Sequence, residues 1–186
     1  MKRWIAIGLL LLVSVTVVVY ETQASDRAFF LPAPLGGMKI VVDPGHGGMD
    51  GGASIGETVE KDITLALGKE LEKELKRLGA VVVMTRSQEE DAVAEHNPKA
   101  TFPTIRARKR ADLQLREEMI ANTDADLFIS VHVNSIPDSR WRGAQVFYHK
   151  DGHAGGAAVA KAIQGSIREQ IGNTEREALA IKQVYL

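Results

Sequence analysis

The sequence predicts a single α/β domain with a twisted, mostly parallel sheet covered by helices on both faces. Apolar segments of strand length alternate along the chain with segments whose apolar residues recur at helical spacing, the order typical of parallel strands joined by crossover helices. The strand segments are continuous apolar runs, as expected for strands buried on both faces. With 186 residues, 45% of them hydrophobic, the chain is long enough for one such domain with a full core.

The predicted elements follow one another from Met38 onward. The first strand is MKIVVD, and it ends at Pro44. A helix from about Glu60 to Leu78 is predicted by the helical spacing of Ile63, Leu67, Leu71, Leu75 and Leu78. The later elements are a strand in AVVVMTR, a polar surface loop over residues 87–103, a charged helix in TIRARKRADLQLREEMIAN with Ile105, Leu115, Met119 and Ile120 on its inner face, strands in DLFISVHVN and GAQVFYHK, and a helix over residues 154–171.

The first 24 residues are assigned to export and are excluded from the fold. Lys2 and Arg3 precede roughly 17 mostly apolar residues, at the short end of what spans a bilayer. The TQA tripeptide is a poor match to a signal-peptide cleavage site, so a removed signal peptide and an uncleaved membrane anchor both remain open. We expect a linker over residues 25–37 and the folded domain over residues 38–186.

The composition excludes several classes of partner and site. A formal net charge of −1 provides no general basic field for nucleic acid. The basic run of the charged helix is followed by Glu117 and Glu118 and carries no interleaved aromatic residues, so no nucleic-acid partner is predicted. The chain has no cysteine, so any transition metal must be held by histidine and carboxylate groups.

Two histidines follow or interrupt predicted strands. The segment IVVDPGHGGMDGGA places His46 between glycines directly after the first strand, and His132 interrupts the apolar run LFISVHVN. Because the carboxyl ends of parallel strands meet at one edge of a sheet, the two imidazoles are predicted to converge there. A solvent-facing histidine in a glycine-rich turn is the alternative. The glycines do not form a dinucleotide fingerprint or a phosphate-binding loop, since Asp50 stands where a third glycine is needed and no Lys-Ser/Thr pair is present.

A carboxylate in GETVEKDITLAL is the candidate third ligand. Glu57 and Glu60 both remain open, and Glu60 is favoured because its position at the helix start fixes its register. A glutamate that only complements the helix dipole is the alternative interpretation of Glu60. Two imidazoles and one carboxylate, with a fourth position left to water, form a known type of catalytic zinc site.

The ordered motifs IVVDPGHGGMDGGA, EKDITLAL, VVMTR and ADLFISVHVNS followed by RGAQVFY resemble those of the zinc-dependent N-acetylmuramoyl-L-alanine amidases, which cleave bacterial peptidoglycan. The resemblance begins at about Met38 and is closest to the spore-cortex, germination-specific members. It implies a zinc cofactor held by His46, Glu60 and His132. It also implies peptidoglycan as the partner and a location in the cell wall or at the outer face of the cytoplasmic membrane. Asn134, on the same strand face as His132, is expected to contact substrate or the metal surroundings, with a polar strand end as the alternative.

The resemblance implies metal-assisted hydrolysis of the amide between the lactyl group of muramic acid and the L-alanine of the stem peptide. The general-base glutamate of the family lies in a late segment of the type VEVGFLSN, and the expected glutamate would lie beyond Leu186. No catalytic residue is therefore assigned, and we expect a C-terminally incomplete chain, without the last strand and helix of the family pattern, whose own activity is doubtful. Asp50, Glu57 and Asp151 are carboxylates that would have to substitute as the base, and their spacing does not support that role.

Two other functions remain open. A zinc peptidase or deacetylase acting on cell-wall material would use the same ligand set, and a catalytically impaired wall-binding protein would bind peptidoglycan without turnover. The other histidines, His96, His149 and His153, are predicted to lie in loops and outside the metal site.

Overall fold

In a computed structural model of the protein, residues 33–133 and 142–182 are described, and they confirm the predicted α/β fold. The export segment, the first part of the linker and Asn134 lie outside the described residues. In the described ranges, no helix combines the length and the apolar composition needed to cross a bilayer. The strands are β1 (Lys39–Pro44), β2 (Ser54–Ile55), β3 (Thr58–Val59), β4 (Val81–Met84), β5 (Leu127–Val131), β6 (Phe147–His149) and β7 (Leu179–Ile181), and the helices are α1 (Glu60–Arg77), α2 (Ala92–His96), α3 (Ile105–Thr123) and α4 (Gly156–Gln170).

The main sheet is parallel and has the strand order β4-β1-β5. Strand β1 lies in the middle, with Val41 opposite both Val83 of β4 and Phe128 of β5. Its apolar residues are almost completely buried, in agreement with the continuous apolar run that predicted the strand. The carboxyl end of β1 reaches Pro44, which pairs with Val131 of β5, so the chain that leaves β1 lies beside the chain that leaves β5.

Helix α1 covers one face of this sheet. Ile40 and Val42 of β1 form a buried cluster with Leu75 of α1 and with Ala80, the residue before β4. The predicted apolar series of α1 is only partly buried, because Leu67 is 51% exposed. Gly68 faces the sheet instead, and a Cβ there would lie 2.7 Å from Pro44 Cγ. The helix can therefore approach the end of β1 closely.

Helix α3 packs on the opposite face of β1, towards which the alternate residue Asp43 points. The prediction that Ile105 lies on the inner face of this helix is wrong, since Ile105 is 62% exposed. The buried residues of α3 are Asp112 and Arg116, which form an ion pair along the helix, and Arg116 also contacts the end of β1. The packing of α3 is thus polar, and an apolar periodicity could not identify its inner face.

Further elements differ from the prediction, among them the unpredicted short antiparallel pair of β2 and β3. The polar loop predicted after β4 contains helix α2, which begins because the Asp91 side chain accepts a hydrogen bond from the Ala94 N–H and because Ala92 and Val93 are buried. Strand β6 pairs in parallel with β7, an element not predicted from the sequence, in a separate two-stranded sheet. Helix α4 packs against β6.

Candidate metal centre

The loop after β1 has an unusual backbone conformation at His46. His46 has a φ of 64°, in the left-handed region that a residue with a side chain seldom adopts, and Gly48 follows at 55°. Two backbone hydrogen bonds of 3.0 Å between Gly47 and Asp50 close the turn. The loop therefore holds the His46 imidazole at the carboxyl edge of the sheet by backbone contacts.

Two glycines leave the space in which the candidate ligands meet. A Cβ at Gly45 would overlap the His132 ring. A Cβ at Gly52 would lie 2.6 Å from Glu60 Oε2 and 2.7 Å from His46 Cδ2. Any larger residue at either position would displace one of the three side chains.

Three predicted ligands, His46, Glu60 and His132, lie together at this edge. His46 Nε2 is 3.3 Å from Glu60 Oε1, and His132 Nδ1 is 3.2 Å from the same oxygen. The two imidazole rings are nearly perpendicular, with centroids 5.0 Å apart. One donor atom from each residue lies within 4.8 Å of the other two, so the group could hold a single metal ion. The donor set, two imidazoles and one carboxylate, is of the type that suits zinc in a catalytic site.

Backbone N–H groups fix the Glu60 carboxylate. Glu60 is the first residue of α1 and is buried, and its two oxygens accept hydrogen bonds from the Ala53 N–H at 2.8 Å and the Val133 N–H at 2.7 Å. Burial raises the pKa of Glu60, but these two N–H groups and the neighbouring His46 lower it by more, so the pKa lies below its ordinary value. Glu57 is exposed in the turn between β2 and β3. The favoured glutamate is therefore the one that lies beside both histidines.

Asp50 contacts the other nitrogen of His46. Its Oδ2 lies 3.0 Å from His46 Nδ1 and 2.7 Å from the Nζ of Lys109 on α3. Burial raises the pKa of Asp50, and the hydrogen bonds from Lys109 and His46 lower it by more. This carboxylate therefore has two partners. From the sequence it was considered only as a substitute for the missing general base.

Arg116 is a buried residue of the site that sequence reasoning missed. Its guanidinium donates to Asp43 Oδ1 at 2.7 Å, to the Pro44 carbonyl at 2.9 Å and to the His46 carbonyl at 2.6 Å. The same guanidinium donates a hydrogen bond of 2.8 Å to Asp112 Oδ2. The only available signal was the spacing of Asp112 and Arg116, four residues apart on a predicted helix.

Arg86, which follows β4 closely, was also missed. It donates to the carbonyls of Pro44 at 2.9 Å, Gly45 at 3.0 Å and Lys61 at 2.8 Å. These contacts connect the loop that carries His46 to the first turn of α1. An arginine directly after an apolar strand was the available signal, because a buried arginine must find several acceptors.

The remaining histidines bond to the main chain elsewhere. His96 Nε2 lies 2.9 Å from the Thr85 carbonyl oxygen, and His149 Nε2 lies 3.0 Å from that of Lys182. His153 Nδ1 accepts from the Gly155 N–H at 3.1 Å. In the described residues they do not belong to the metal-ligand group. His96 ends α2 and His149 ends β6, so the prediction that they lie in loops is wrong for these two.

An open pocket lies beside His46 and His132. Its wall includes the exposed side chains of Met49 and Ile105 together with Lys109. The pocket therefore presents apolar and basic groups next to the candidate metal ligands, together with acidic groups such as Asp50. Ile105, which is exposed at the surface of α3, is thus part of this pocket wall.

The fold and the site together define an α/β domain with a candidate catalytic metal centre at the carboxyl edge of a parallel sheet. The model of the N-acetylmuramoyl-L-alanine amidase family matches residues 40–184. The chain therefore belongs to the N-acetylmuramoyl-L-alanine amidase family.

Individual relatives agree with this assignment. The chain is 38% identical over 184 residues to the germination-specific N-acetylmuramoyl-L-alanine amidase of Bacillus subtilis, covering 99% of this chain and 75% of that protein. It is 30% identical to the N-acetylmuramoyl-L-alanine amidase LytC of Bacillus subtilis, over 78% of this chain and 26% of that protein. Among solved structures, it is similar to the CwlD amidase from Clostridioides difficile in complex with the GerS lipoprotein, with a TM-score of 0.70 and 33% identity over 80% of this chain and 74% of that chain.

Proposed function

We propose that this protein is a zinc-dependent amidase that hydrolyses the bond between the lactyl group of muramic acid and the L-alanine of peptidoglycan. His46, Glu60 and His132 would hold the zinc ion. The observation that carries the proposal is the approach of one donor atom from each of these residues to within 4.8 Å, at the edge where β1 and β5 end. Family membership supplies the substrate class.

The side chains of the site provide a fixed set of donors. The Ala53 and Val133 N–H groups hold both oxygens of Glu60, so this carboxylate needs little reorganisation to bind an ion. A zinc ion held by these residues would supply Lewis-acid polarisation of a substrate carbonyl and a lowered pKa, about 7, for a bound water. His132 is the most exposed of the three residues, and a glycan-peptide strand would reach the ion from its side. We assign no general base among the described residues.

Product analysis tests the reaction. The purified full chain, loaded with zinc, is incubated with peptidoglycan, and the new chemical groups are quantified. Newly freed L-alanine amino groups are the expected product. Released acetate would instead indicate a deacetylase, and a cut within the stem peptide would indicate a peptidase. Retention on insoluble peptidoglycan without any product would indicate a wall-binding protein.

A role on spore-cortex peptidoglycan is the finer part of the proposal. It is supported by the 38% identity to a germination-specific relative over nearly the whole of this chain. The test compares initial rates on purified cortex and vegetative peptidoglycan at equal muramic acid content. A rate on vegetative material equal to or above that on cortex would contradict a cortex-directed role.

We also propose that the protein acts outside the cytoplasm. The support is the basic and apolar composition of residues 1–24, together with a substrate class that is found in the cell wall. Fractionation of cells that express the full chain should find it at the wall or the membrane. The N-terminal sequence of the recovered protein would distinguish a cleaved signal peptide from a retained anchor.

A further inference from the structure

The side chain of Asp50 lies on the far side of His46 from Glu60. His46 Nε2 is 3.3 Å from Glu60 Oε1, whereas His46 Nδ1 is 3.0 Å from Asp50 Oδ2. The imidazole is thus held between two carboxylates, one at each ring nitrogen. Only the Nε2 side faces the candidate metal centre.

Asp50 is itself held in place from two directions. Its backbone exchanges two 3.0 Å hydrogen bonds with Gly47, which set the position of its Cα relative to His46. Its Oδ2 also contacts Lys109 Nζ at 2.7 Å, which ties the carboxylate to α3. The side chain is 30% exposed, so it is neither a core residue nor a freely solvated one.

A carboxylate at Nδ1 determines which nitrogen of His46 is free to bind a metal. A neutral imidazole carries one N–H donor and one lone pair, and an ionised carboxylate can only accept. A hydrogen bond from Nδ1–H to Asp50 therefore leaves the lone pair on Nε2, directed at Glu60 and the metal position. The same hydrogen bond raises the basicity of the ligating nitrogen.

We propose that Asp50 is the positioning residue of His46: it fixes the Nδ1–H tautomer and the ring orientation in which Nε2 can bind zinc. This inference rests on the proposed function, because it assumes that His46 is a zinc ligand. Lys109 orients the carboxylate in turn. Asp50 acts through His46 and is not assigned a direct role on the substrate.

The geometry separates this role from simple maintenance of the loop. The turn that carries His46 is closed by backbone groups of Gly47 and Asp50, and these hydrogen bonds do not require the Asp50 carboxylate. Arg116 and Arg86 hold the adjoining carbonyls through contacts that do not involve Asp50. Variants at Asp50 should therefore fold, and their defect should appear in metal binding.

The test measures the dissociation constant of zinc(II) alone, by competition with a chromophoric chelator, for the full chain and two variants. Asp50→Asn retains an acceptor for Nδ1–H but removes the charge, and Asp50→Ala removes both. We expect Asp50→Ala to weaken zinc binding by about 10- to 100-fold and Asp50→Asn to have an intermediate effect. Glu57→Gln and Glu57→Ala are matched controls, since they change an exposed carboxylate three residues before Glu60, and they should alter the constant by less than about twofold.

A second readout reports the tautomer itself. In long-range ¹H–¹⁵N spectra of the metal-free protein, recorded at a pH where the His46 ring is neutral, His46 should be the Nδ1–H tautomer in the wild type and in Asp50→Asn. In Asp50→Ala the Nε2–H form should gain population. Asp50→Ala binding as tight as the Glu57 controls, or weaker binding with an unchanged tautomer, would overturn the positioning role. Absence of zinc binding by the wild type, or full binding by His46→Ala, would instead overturn the proposed function on which the inference rests.

Discussion

His46 combines a left-handed backbone with an imidazole that is contacted at both nitrogens. The strain of such a conformation is of order 1–3 kcal/mol and persists only where surrounding contacts determine it. Here the Arg116 guanidinium binds the His46 carbonyl at 2.6 Å, and Asp50 binds the ring. His46 thus combines a left-handed backbone with a carbonyl contact from a partner 70 residues away, as expected at a functional site.

The ligand assignment predicts zinc content residue by residue. His46→Ala and His132→Ala each remove one of three donors and should lose most of the zinc, and Glu60→Gln should behave in the same way. Glu57→Gln should retain it, because Glu57 is exposed on the β2–β3 turn. Elemental analysis of the purified proteins measures the outcome. Equal zinc in the wild type and in both histidine variants would rule out this ligand set.

The close contact between Gly45 and the His132 ring predicts a steric effect on the candidate metal centre. Because a Cβ there would overlap the His132 ring, Gly45→Ala should displace this imidazole and weaken zinc binding by about tenfold or more. Gly165→Ala is the control, since a Cβ at Gly165 meets nothing within 4 Å and the change also favours the helix. The zinc dissociation constant and the thermal midpoint are measured for both. Unaltered zinc binding in Gly45→Ala would show that the ring position is not fixed by this contact.

At the scale of elements, α3 is joined to the sheet by a buried ion pair. Arg116 and Asp43 are almost fully buried and lie 2.7 Å apart. Burial raises the pKa of Asp43, but the Arg116 charge and hydrogen bonds from Thr85 and Ser130 lower it by more, so the carboxylate stays ionised. The polar face of α3 therefore depends on one guanidinium that reaches the strand end beneath the metal centre.

Replacing the Arg116 guanidinium should lower the stability of the folded protein. Arg116→Met leaves Asp43 and Asp112 without their cation, and we expect a loss of about 3–5 kcal/mol in the free energy of unfolding. Arg110→Met, on the exposed surface of the same helix, should change it by less than about 0.5 kcal/mol. Urea unfolding followed by circular dichroism measures both. If the two variants were equally stable, the buried pair would contribute nothing net to the attachment of α3.

The junction of α2 and α3 predicts a pH-dependent stability. Burial raises the pKa of Asp91, but hydrogen bonds from Arg108 and the Ala94 N–H lower it by more, so the folded pKa lies below the ordinary 3.8. The resulting stabilisation is therefore fully present above about pH 4 and is lost as the pH falls through the folded pKa.

Asp91→Asn tests this contribution and preserves the helix cap, because asparagine caps about as well as aspartate. The variant should be less stable than the wild type by about 1.5–3 kcal/mol at pH 6, the usual contribution of a hydrogen bond to a charged group. The difference should shrink below pH 4. Urea unfolding at several pH values measures it, and a difference that stays constant down to pH 2.5 would contradict the assigned cause.

The elements that the sequence predicted are those with a strong local signal. Strands β1, β4 and β5 are continuous apolar runs, and His46 and His132 could be brought together because both lie at strand ends. Helix α2 and strand β7 are short and are stabilised by a cap or by one partner strand, so periodicity could not reveal them. The roles of Arg86 and Arg116 depend on carbonyl partners as far as 72 residues away along the chain, and no local pattern encodes such contacts.

At the scale of the whole molecule, the candidate ligands join three separate parts of the fold. His46 follows β1, Glu60 begins α1 and His132 follows β5. An ion bound by all three would stabilise the folded state but not the unfolded chain, in which these residues are far apart. At a zinc concentration 100 times the dissociation constant, this linkage contributes about 2.7 kcal/mol.

Removal of the metal should therefore lower the thermal midpoint. We expect the wild type to unfold at a lower temperature in a chelator than in excess zinc, and His46→Ala to unfold at the same temperature in both. Scanning calorimetry at constant ionic strength measures the shift. An equal shift in wild type and variant would mean that zinc acts elsewhere on the protein.

The pairing of β1 with β5 also determines when the site can exist. Asp43 and Ser130, which meet beside the candidate ligands, are 87 residues apart in the chain. A growing polypeptide has no complete ligand set until His132 has been synthesised and β5 has docked against β1, because His46 and Glu60 alone provide only two of the three donors. This order of assembly delays the candidate metal centre until the fold around it is formed. Under the proposed export, a chain that crossed the membrane unfolded would do so without that centre.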